Sequence, residues 1–182
     1  MADRALSEYI MVFEDALSPT QCQSLIDRFE GSADHEACRR EAGHSFTQVD
    51  VTRCWPDQHQ LLVPIFLSCF NKYQIALNAR FWPPQFSFEH LRVKRYLPNG
   101  RDSFPVHVDV MGQAAARRFM TAMVYLNAPD GGETVFPDLD IRVAPRSGKL
   151  LAFPPLWPFP HEGLPPRSSA KYILHTYLCY PE

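Results

Sequence analysis

His107-Val108-Asp109 sets an imidazole and a carboxylate two residues apart. On an extended strand that spacing puts both on one face, with Val108 pointing away. Two donors on one face can share a metal ion, although an isolated His-x-Asp pair in a strand is more often an ordinary structural pair. A third donor changes the reading. His161 stands in the aromatic, proline-rich stretch Trp157-Pro158-Phe159-Pro160-His161-Glu162-Gly163 and completes a set of two imidazoles and one carboxylate. Such a set takes one face of an octahedron and leaves three positions open, which suits non-haem Fe(II) and a chemistry that needs room for dioxygen. None of His35, His44, His59, His90 and His175 has an aspartate two residues on.

Strands must carry these donors. Downstream of Pro83-Pro84, short β-type runs separated by turn signals predict strands over Phe86 to Leu97, Val106 to Val110, Phe119 to Asn127 and Thr134 to Phe136. Three more follow at Ile141 to Val143, Leu150 to Phe153 and Tyr172 to Tyr180. Asp130-Gly131-Gly132 and Arg146-Ser147-Gly148 supply turns. Upstream, Tyr9 to Phe13 reads as a strand. Ser18-Pro19-Thr20-Gln21 reads as an N-cap, a proline at the first helical position and a capping-box glutamine. Cys22, Leu25, Ile26 and Phe29 follow at helical spacing, with Gly31 as the stop. Ser32 to Gly43 is polar and aperiodic, a loop. Asp57 to Asn78 keeps helical spacing through Leu62, Ile65, Phe66, Cys69, Tyr73 and Ala76, with Pro64 as a kink or late start. Helices first and strands afterwards predict an α+β fold: a double-stranded β-helix, or jelly roll, with N-terminal helices packed on one sheet.

The 182 residues carry 46% hydrophobic and 21% charged side chains, enough for one domain with its own core. The expected organisation is a single unit over 1–182, with 1–84 as helical support and substrate-loop region and 85–182 as catalytic β core. A net charge of −2 gives no global positive field, so nucleic acid is not an expected partner. No apolar run approaches a membrane span, and Met1 to Asp15 carries acidic residues where a signal peptide would be apolar. Five cysteines without a Cys-x-x-Cys spacing suggest neither a thiolate zinc site nor a disulfide framework. A cytoplasmic protein, monomer or homodimer, is the expectation.

The C-terminal half resembles the Fe(II)/2-oxoglutarate dioxygenases, specifically the prolyl 4-hydroxylase-like group. The residues that carry the resemblance are Tyr96, His107-Val108-Asp109, Arg118-Phe119-Met120-Thr121, Tyr125-Leu126-Asn127 and Gly131-Gly132-Glu133-Thr134 with Phe136-Pro137. His161 and Lys171, ten residues later, complete them. The match covers about Phe88 to Tyr180, and the Leu17-Ser18-Pro19 helix start is similar as well; residues 32–85 match only loosely. The resemblance implies His107, Asp109 and His161 as catalytic iron ligands. It implies Lys171 as partner of the distal carboxylate of 2-oxoglutarate, Tyr125 as a hydrogen-bond donor to that carboxylate, and Tyr96 as a phenol near the co-substrate or peptide. It further implies Fe(II), 2-oxoglutarate and O2 as cofactors, with ascorbate as a supporting reductant, and hydroxylation of an unactivated C–H. The substrate would be a peptide or protein proline, or a free amino acid or other small molecule. Asp109 favours hydroxylation over halogenation, because related halogenases lack that carboxylate.

Each residue also has a plainer reading. Lys171 could be a solvated strand lysine, and Tyr96 and Tyr125 core aromatics. His175 and Tyr177 share the face of Lys171 by alternation; Tyr177 stands where the family often has tryptophan, and His175 reads as a core histidine bonded to backbone or as support for a ligand. Lys94 and Arg92 share the face of Tyr96, either lining a cavity mouth or lying on a solvated edge strand. The rival from another class is a non-catalytic cupin-like module that binds a metal or ligand.

Overall fold

The computed structural model describes residues 4–39 and 43–181. In chain order the elements are β1 (Met11–Phe13), α1 (Pro19–Glu30), β2 (Glu36–Arg39), β3 (Ser45–Asp50), α2 (Val51–Cys54) and α3 (Pro56–Ala76). The strands then run β4 (Ser87–Phe88), β5 (Arg92–Tyr96), β6 (Phe104–His107), β7 (Arg118–Tyr125), β8 (Thr134–Phe136), β9 (Ile141–Val143), β10 (Leu150–Phe153), β11 (His161–Gly163) and β12 (Lys171–Cys179). The larger sheet has the order β1-β10-β7-β12-β5-β3-β2, with β4 also paired to β12, and the smaller is β6-β11-β8-β9. All pairs are antiparallel. Two facing antiparallel sheets of this kind form the expected jelly roll, with the helices outside the larger one.

The helices form where their local chemistry dictates. Ser18 Oγ accepts from the Gln21 amide at 3.2 Å and the Gln21 side chain accepts from the Ser18 amide at 2.9 Å, a reciprocal capping box ahead of Pro19. Cys22, Leu25 and Phe29 are the face that α1 buries. In α3 the buried positions are Leu62, Phe66, Cys69, Phe70 and Tyr73, and Pro64 lies inside the helix rather than at its start. These side chains pack on Val93, Ala122, Val124, Leu150, Ala152, Leu174 and Leu178, the outer face of the larger sheet. Gly148 lets α1 lie against that sheet: its φ is +80°, and a Cβ there would meet the Leu17 carbonyl oxygen.

Several expectations need correction. Ser32 to Gly43 is not all loop, because Glu36–Arg39 is a strand paired with Ser45–Asp50. Both add to the larger sheet beside β5, so residues upstream of 84 contribute to its β structure. The polar composition and four-residue length of β2 hid it: it is the sheet edge, and its alternating residues are at most half-buried. Residues 40–42 of the expected loop lie outside the described residues. The run from Phe86 to Leu97 divides into β4 and β5, and Tyr9 ends a 3-10 turn rather than opening a strand. The expected strand over Val106 to Val110 is Phe104–His107, so Asp109 lies beyond its end.

Candidate active site

The space between the sheets is lined by aromatic and aliphatic side chains at its closed end, including Phe136, Leu151, Phe153, Phe159 and Ile173. One end opens into a small cavity whose wall includes His107, Asp109, His161, Thr134, Tyr96 and Lys171. A larger outer cleft continues from it and shares His107 and Asp109.

Neighbouring strands of the smaller sheet bring the two imidazoles together. His161 on β11 is paired across the ladder with His107 on β6, and their ring centroids are 4.3 Å apart. Gly163 pairs with Phe104, so Pro105 and Val106 face the single residue Glu162 in a bulge. Such a bulge re-aims the next side chain and tolerates a proline that cannot donate to the ladder. Each ring is fixed by its Nδ1, which donates to a backbone carbonyl two residues earlier: Pro105 at 2.8 Å for His107, Phe159 at 3.1 Å for His161. A carbonyl only accepts, so Nδ1 carries the proton and Nε2 keeps its lone pair. Phe153, at 4.7 Å between centroids, packs edge-on to His161.

Asp109 closes the set from the turn after β6. Its Oδ1 is 3.5 Å from His107 Nε2 and its Oδ2 is 3.7 Å from His161 Nε2. The donor atoms of all three residues lie within 4.8 Å of one another. Tyr177 on β12 donates its hydroxyl to Asp109 Oδ1 at 2.6 Å, and the Arg118 guanidinium lies 3.9 Å over the Tyr177 ring and binds Glu89 through two nitrogens. Asp109 Oδ2 is buried with no hydrogen-bond partner. Burial alone would raise this carboxyl; the imidazoles and the Tyr177 hydroxyl outweigh it and hold the group well below the usual carboxylate range. Burial pushes His161 down to about 4, so its ring is neutral. Two Nε2 lone pairs and an orphaned carboxylate oxygen converging on one point fit a divalent ion, which would satisfy all three.

The other site residues divide. Lys171 opens β12 opposite Tyr96 of β5, is 3% exposed, and lines the inner cavity, so it is not a solvated strand lysine. Its Nζ lies 5.4 Å from the Tyr96 ring and 5.5 Å from the Tyr125 ring. Burial pushes its ammonium down to about 7, against the opposing pull of Glu133. Gly132, at φ +73°, makes room for its stem, since a Cβ there would stand 3.0 Å from Lys171 Cδ. Tyr96 lines the same cavity. Tyr125 does not: its hydroxyl donates to Thr134 Oγ1 at 2.6 Å. Thr134 is the cavity-lining hydroxyl, one that sequence reasoning passed over although it ends Gly-Gly-Glu-Thr.

His175 is buried on the cavity wall with side-chain rather than backbone partners, Thr121 Oγ1 at 3.1 Å and Lys94 Nζ at 3.5 Å. β5, which carries Lys94 and Arg92, runs between β12 and β3 and is no edge strand.

Residues 91–179 match the family model described as the 2OG-Fe(II) oxygenase superfamily. A candidate prolyl 4-hydroxylase of Acanthamoeba polyphaga mimivirus is 25% identical over 91% of this chain and 72% of its own length. The viral collagen prolyl hydroxylase of Paramecium Bursaria Chlorella virus-1, solved with 2-oxoglutarate, superposes with a TM-score of 0.68 at 23% identity, covering 96% of this chain and 97% of the other. A Pseudomonas putida prolyl-4-hydroxylase gives 0.69 at 18% identity over 94% and 93%. A Trichoplax adhaerens prolyl hydroxylase, solved with a hypoxia inducible factor peptide fragment, gives 0.74 at 15% identity over 95% and 84%. Residues 91–179 are thus similar to the 2OG-Fe(II) oxygenase superfamily, and the chain shares its fold with these prolyl hydroxylases.

Proposed function

We propose that the chain hydroxylates a prolyl C–H bond, with His107, Asp109 and His161 holding Fe(II) and Lys171 holding the distal carboxylate of 2-oxoglutarate. The observation that carries this reading is the placement of a buried ammonium and a three-donor cluster on the wall of one cavity. The bound iron, with 2-oxoglutarate and O2, supplies the oxidative decarboxylation to succinate and CO2 that drives hydroxylation. The protein's own residues bind and orient. Lys171 neutralises a carboxylate that would otherwise be buried without a counter-charge. Thr134 presents a hydroxyl to the same cavity, and Tyr125 orients it from behind. Tyr96 offers a phenol from the strand opposite Lys171. Tyr177 holds one oxygen of Asp109, leaving the other for the metal. Phe136, Phe153 and Phe159 keep water from the closed end.

Substrate enters by the outer cleft, whose walls include Cys38, Phe46 and Gln48 of β2 and β3. Support for a prolyl substrate comes from the mimivirus relative and the prolyl hydroxylases that share the fold. A cytoplasmic location accords with the cysteines, no two of which are joined by a disulfide among the described residues. No helix of the described residues is long and apolar enough to cross a membrane. Succinate release and hydroxyproline formation, screened in parallel against proline-containing peptides and free amino acids, test the reading. Proline-dependent succinate with matching hydroxyproline is the expected result; succinate formation that no prolyl compound raises would overturn it.

A further inference from the structure

The cavity wall holds two buried lysines, and the chemistry above uses one. Lys94 lies two residues before Tyr96 on β5, opposite Ile173 of β12, so it shares the inward face. Lys171 lines the inner cavity, whereas Lys94 lines both the inner cavity and the outer cleft and so marks their boundary. It is 9% exposed. Its ammonium faces the rings of Phe46 at 5.1 Å and Phe104 at 5.9 Å, and its polar neighbour is His175 Nδ1 at 3.5 Å. Among the described residues the carboxylates of the cleft have other roles: Glu89 is held by both bonds to Arg118, and Asp109 accepts from Tyr177 through one oxygen and keeps the other for the proposed metal. Arg92 adds a further cation to the same cleft.

A desolvated ammonium beside aromatic rings, with no anion hydrogen-bonded to it among the described residues, is costly to hold and gains most when a ligand brings one. Burial lowers the Lys94 ammonium to about 8, with Asp109 opposing the shift, so the group is mostly protonated at neutral pH. On the proposed reading the co-substrate would have no carboxylate to spare, since Lys171 would take the distal one and the other would be held at the metal.

We infer that Lys94 anchors a carboxylate of the substrate, which is therefore a prolyl compound with a free carboxylate, either free proline or a peptide whose C-terminal residue is proline. The inference rests on the prolyl reading above and deepens it. His107 and Asp109 line the same cleft as Lys94, so a small acid seated there keeps the rest of its ring beside the donor set. An internal proline of a neutral peptide would leave Lys94 without its partner.

Protein loaded with Fe(II) and 2-oxoglutarate under anaerobic conditions is titrated calorimetrically with five probes: N-acetyl-L-proline, N-acetyl-L-prolinamide, L-proline, a short peptide ending in proline, and that peptide's C-terminal amide. The acids should bind at least tenfold more tightly than the amides, and the better of L-proline and the peptide identifies the source of the carboxylate. Lys94→Met keeps the stem and removes the charge; it should weaken the acids at least thirtyfold, leave the amides within about threefold, and so abolish the preference. Lys94→Arg should restore part of it. Melting curves of both variants check folding, and the half-saturation for 2-oxoglutarate should move less than about threefold. Equal binding of acids and amides, no binding of either, or a preference that survives Lys94→Met would each overturn the inference. So would a Lys94→Met defect confined to 2-oxoglutarate. Carboxylate preference lost in Lys94→Met but without hydroxyproline formation from any probe would instead sink the prolyl reading and leave the anchor standing.

Discussion

The two faces of the larger sheet are built from the same strands and have opposite contents. Along β12, Leu174 and Leu178 point to the helices and join a continuous apolar core, while Lys171, His175 and Tyr177 point inward to the cavity. β7 divides likewise: Ala122 and Val124 outward, Thr121 and Met123 inward. The outer face supplies burial; the inner face carries an ammonium, a neutral imidazole and hydroxyls, groups whose desolvation weakens the fold until a ligand compensates. A period of two lets one strand serve both ends, because neighbouring residues never share a face.

Changes on the two faces should therefore fail differently. The largest effect is expected at the donor set. Asp109→Ala would remove a proposed iron ligand and its charge, so hydroxylated product should vanish and iron affinity should fall by tens-fold or more, while the apolar core of the outer face is untouched and the protein still folds. Iron titration and product assay check this, and full activity at saturating iron would remove Asp109 from the site. On the outer face Leu174→Ala should do the reverse. Leu174 is fully buried, and its truncation should cost about 2–5 kcal/mol in denaturant unfolding while the folded fraction keeps its iron affinity.

Lys171→Met should raise the half-saturation for 2-oxoglutarate near a hundredfold, about 3 kcal/mol, with iron binding kept. Its pH dependence sharpens the point. With the free ammonium lowered to about 7, the cation that receives the carboxylate is present below that pH and is lost as pH rises through it. Co-substrate affinity should therefore fall above pH 7, by up to about tenfold per unit, and the methionine variant should lack that slope. A flat profile in the parent protein would mean that another group anchors the acid. Arg118 and Arg167 are poor substitutes, being held by Glu89 and Asp130 and lying outside the inner cavity. The smallest effect is expected for Tyr177→Phe, which removes the hydroxyl from Asp109 Oδ1 and keeps the ring under Arg118. Iron affinity should drop about tenfold, read by competition with a chelator.

Much of this was legible in the sequence because it depends on period and local chemistry. The alternation from Lys171 placed His175 and Tyr177 on its face, and the capping box at Ser18 fixed the start of α1. The His-x-Asp spacing identified two donors, yet for an incomplete reason: β6 stops at His107, and Asp109 is brought in by the turn and held by Tyr177. Long-range pairing was not legible. That His161 would lie directly across from His107 depends on a register between strands far apart in sequence. The exchange of Tyr125 for Thr134 at the cavity wall depends on which hydroxyl stands in front, and composition does not encode that. Lys94 carried a signal in its alternation with Tyr96, but only the flanking of β5 by β12 and β3 turned an edge-like residue into a buried one.

If the three donors and Lys171 form one site, Fe(II) and 2-oxoglutarate should bind to it together. Anaerobic titration of the protein with Fe(II) in the presence of 2-oxoglutarate, followed by visible absorption, tests it most directly. A weak charge-transfer band should appear, saturate at one iron per chain, require both additions, and disappear in Asp109→Ala. A protein that stays colourless when both are present, and forms no succinate once air is admitted, would contradict that joint binding.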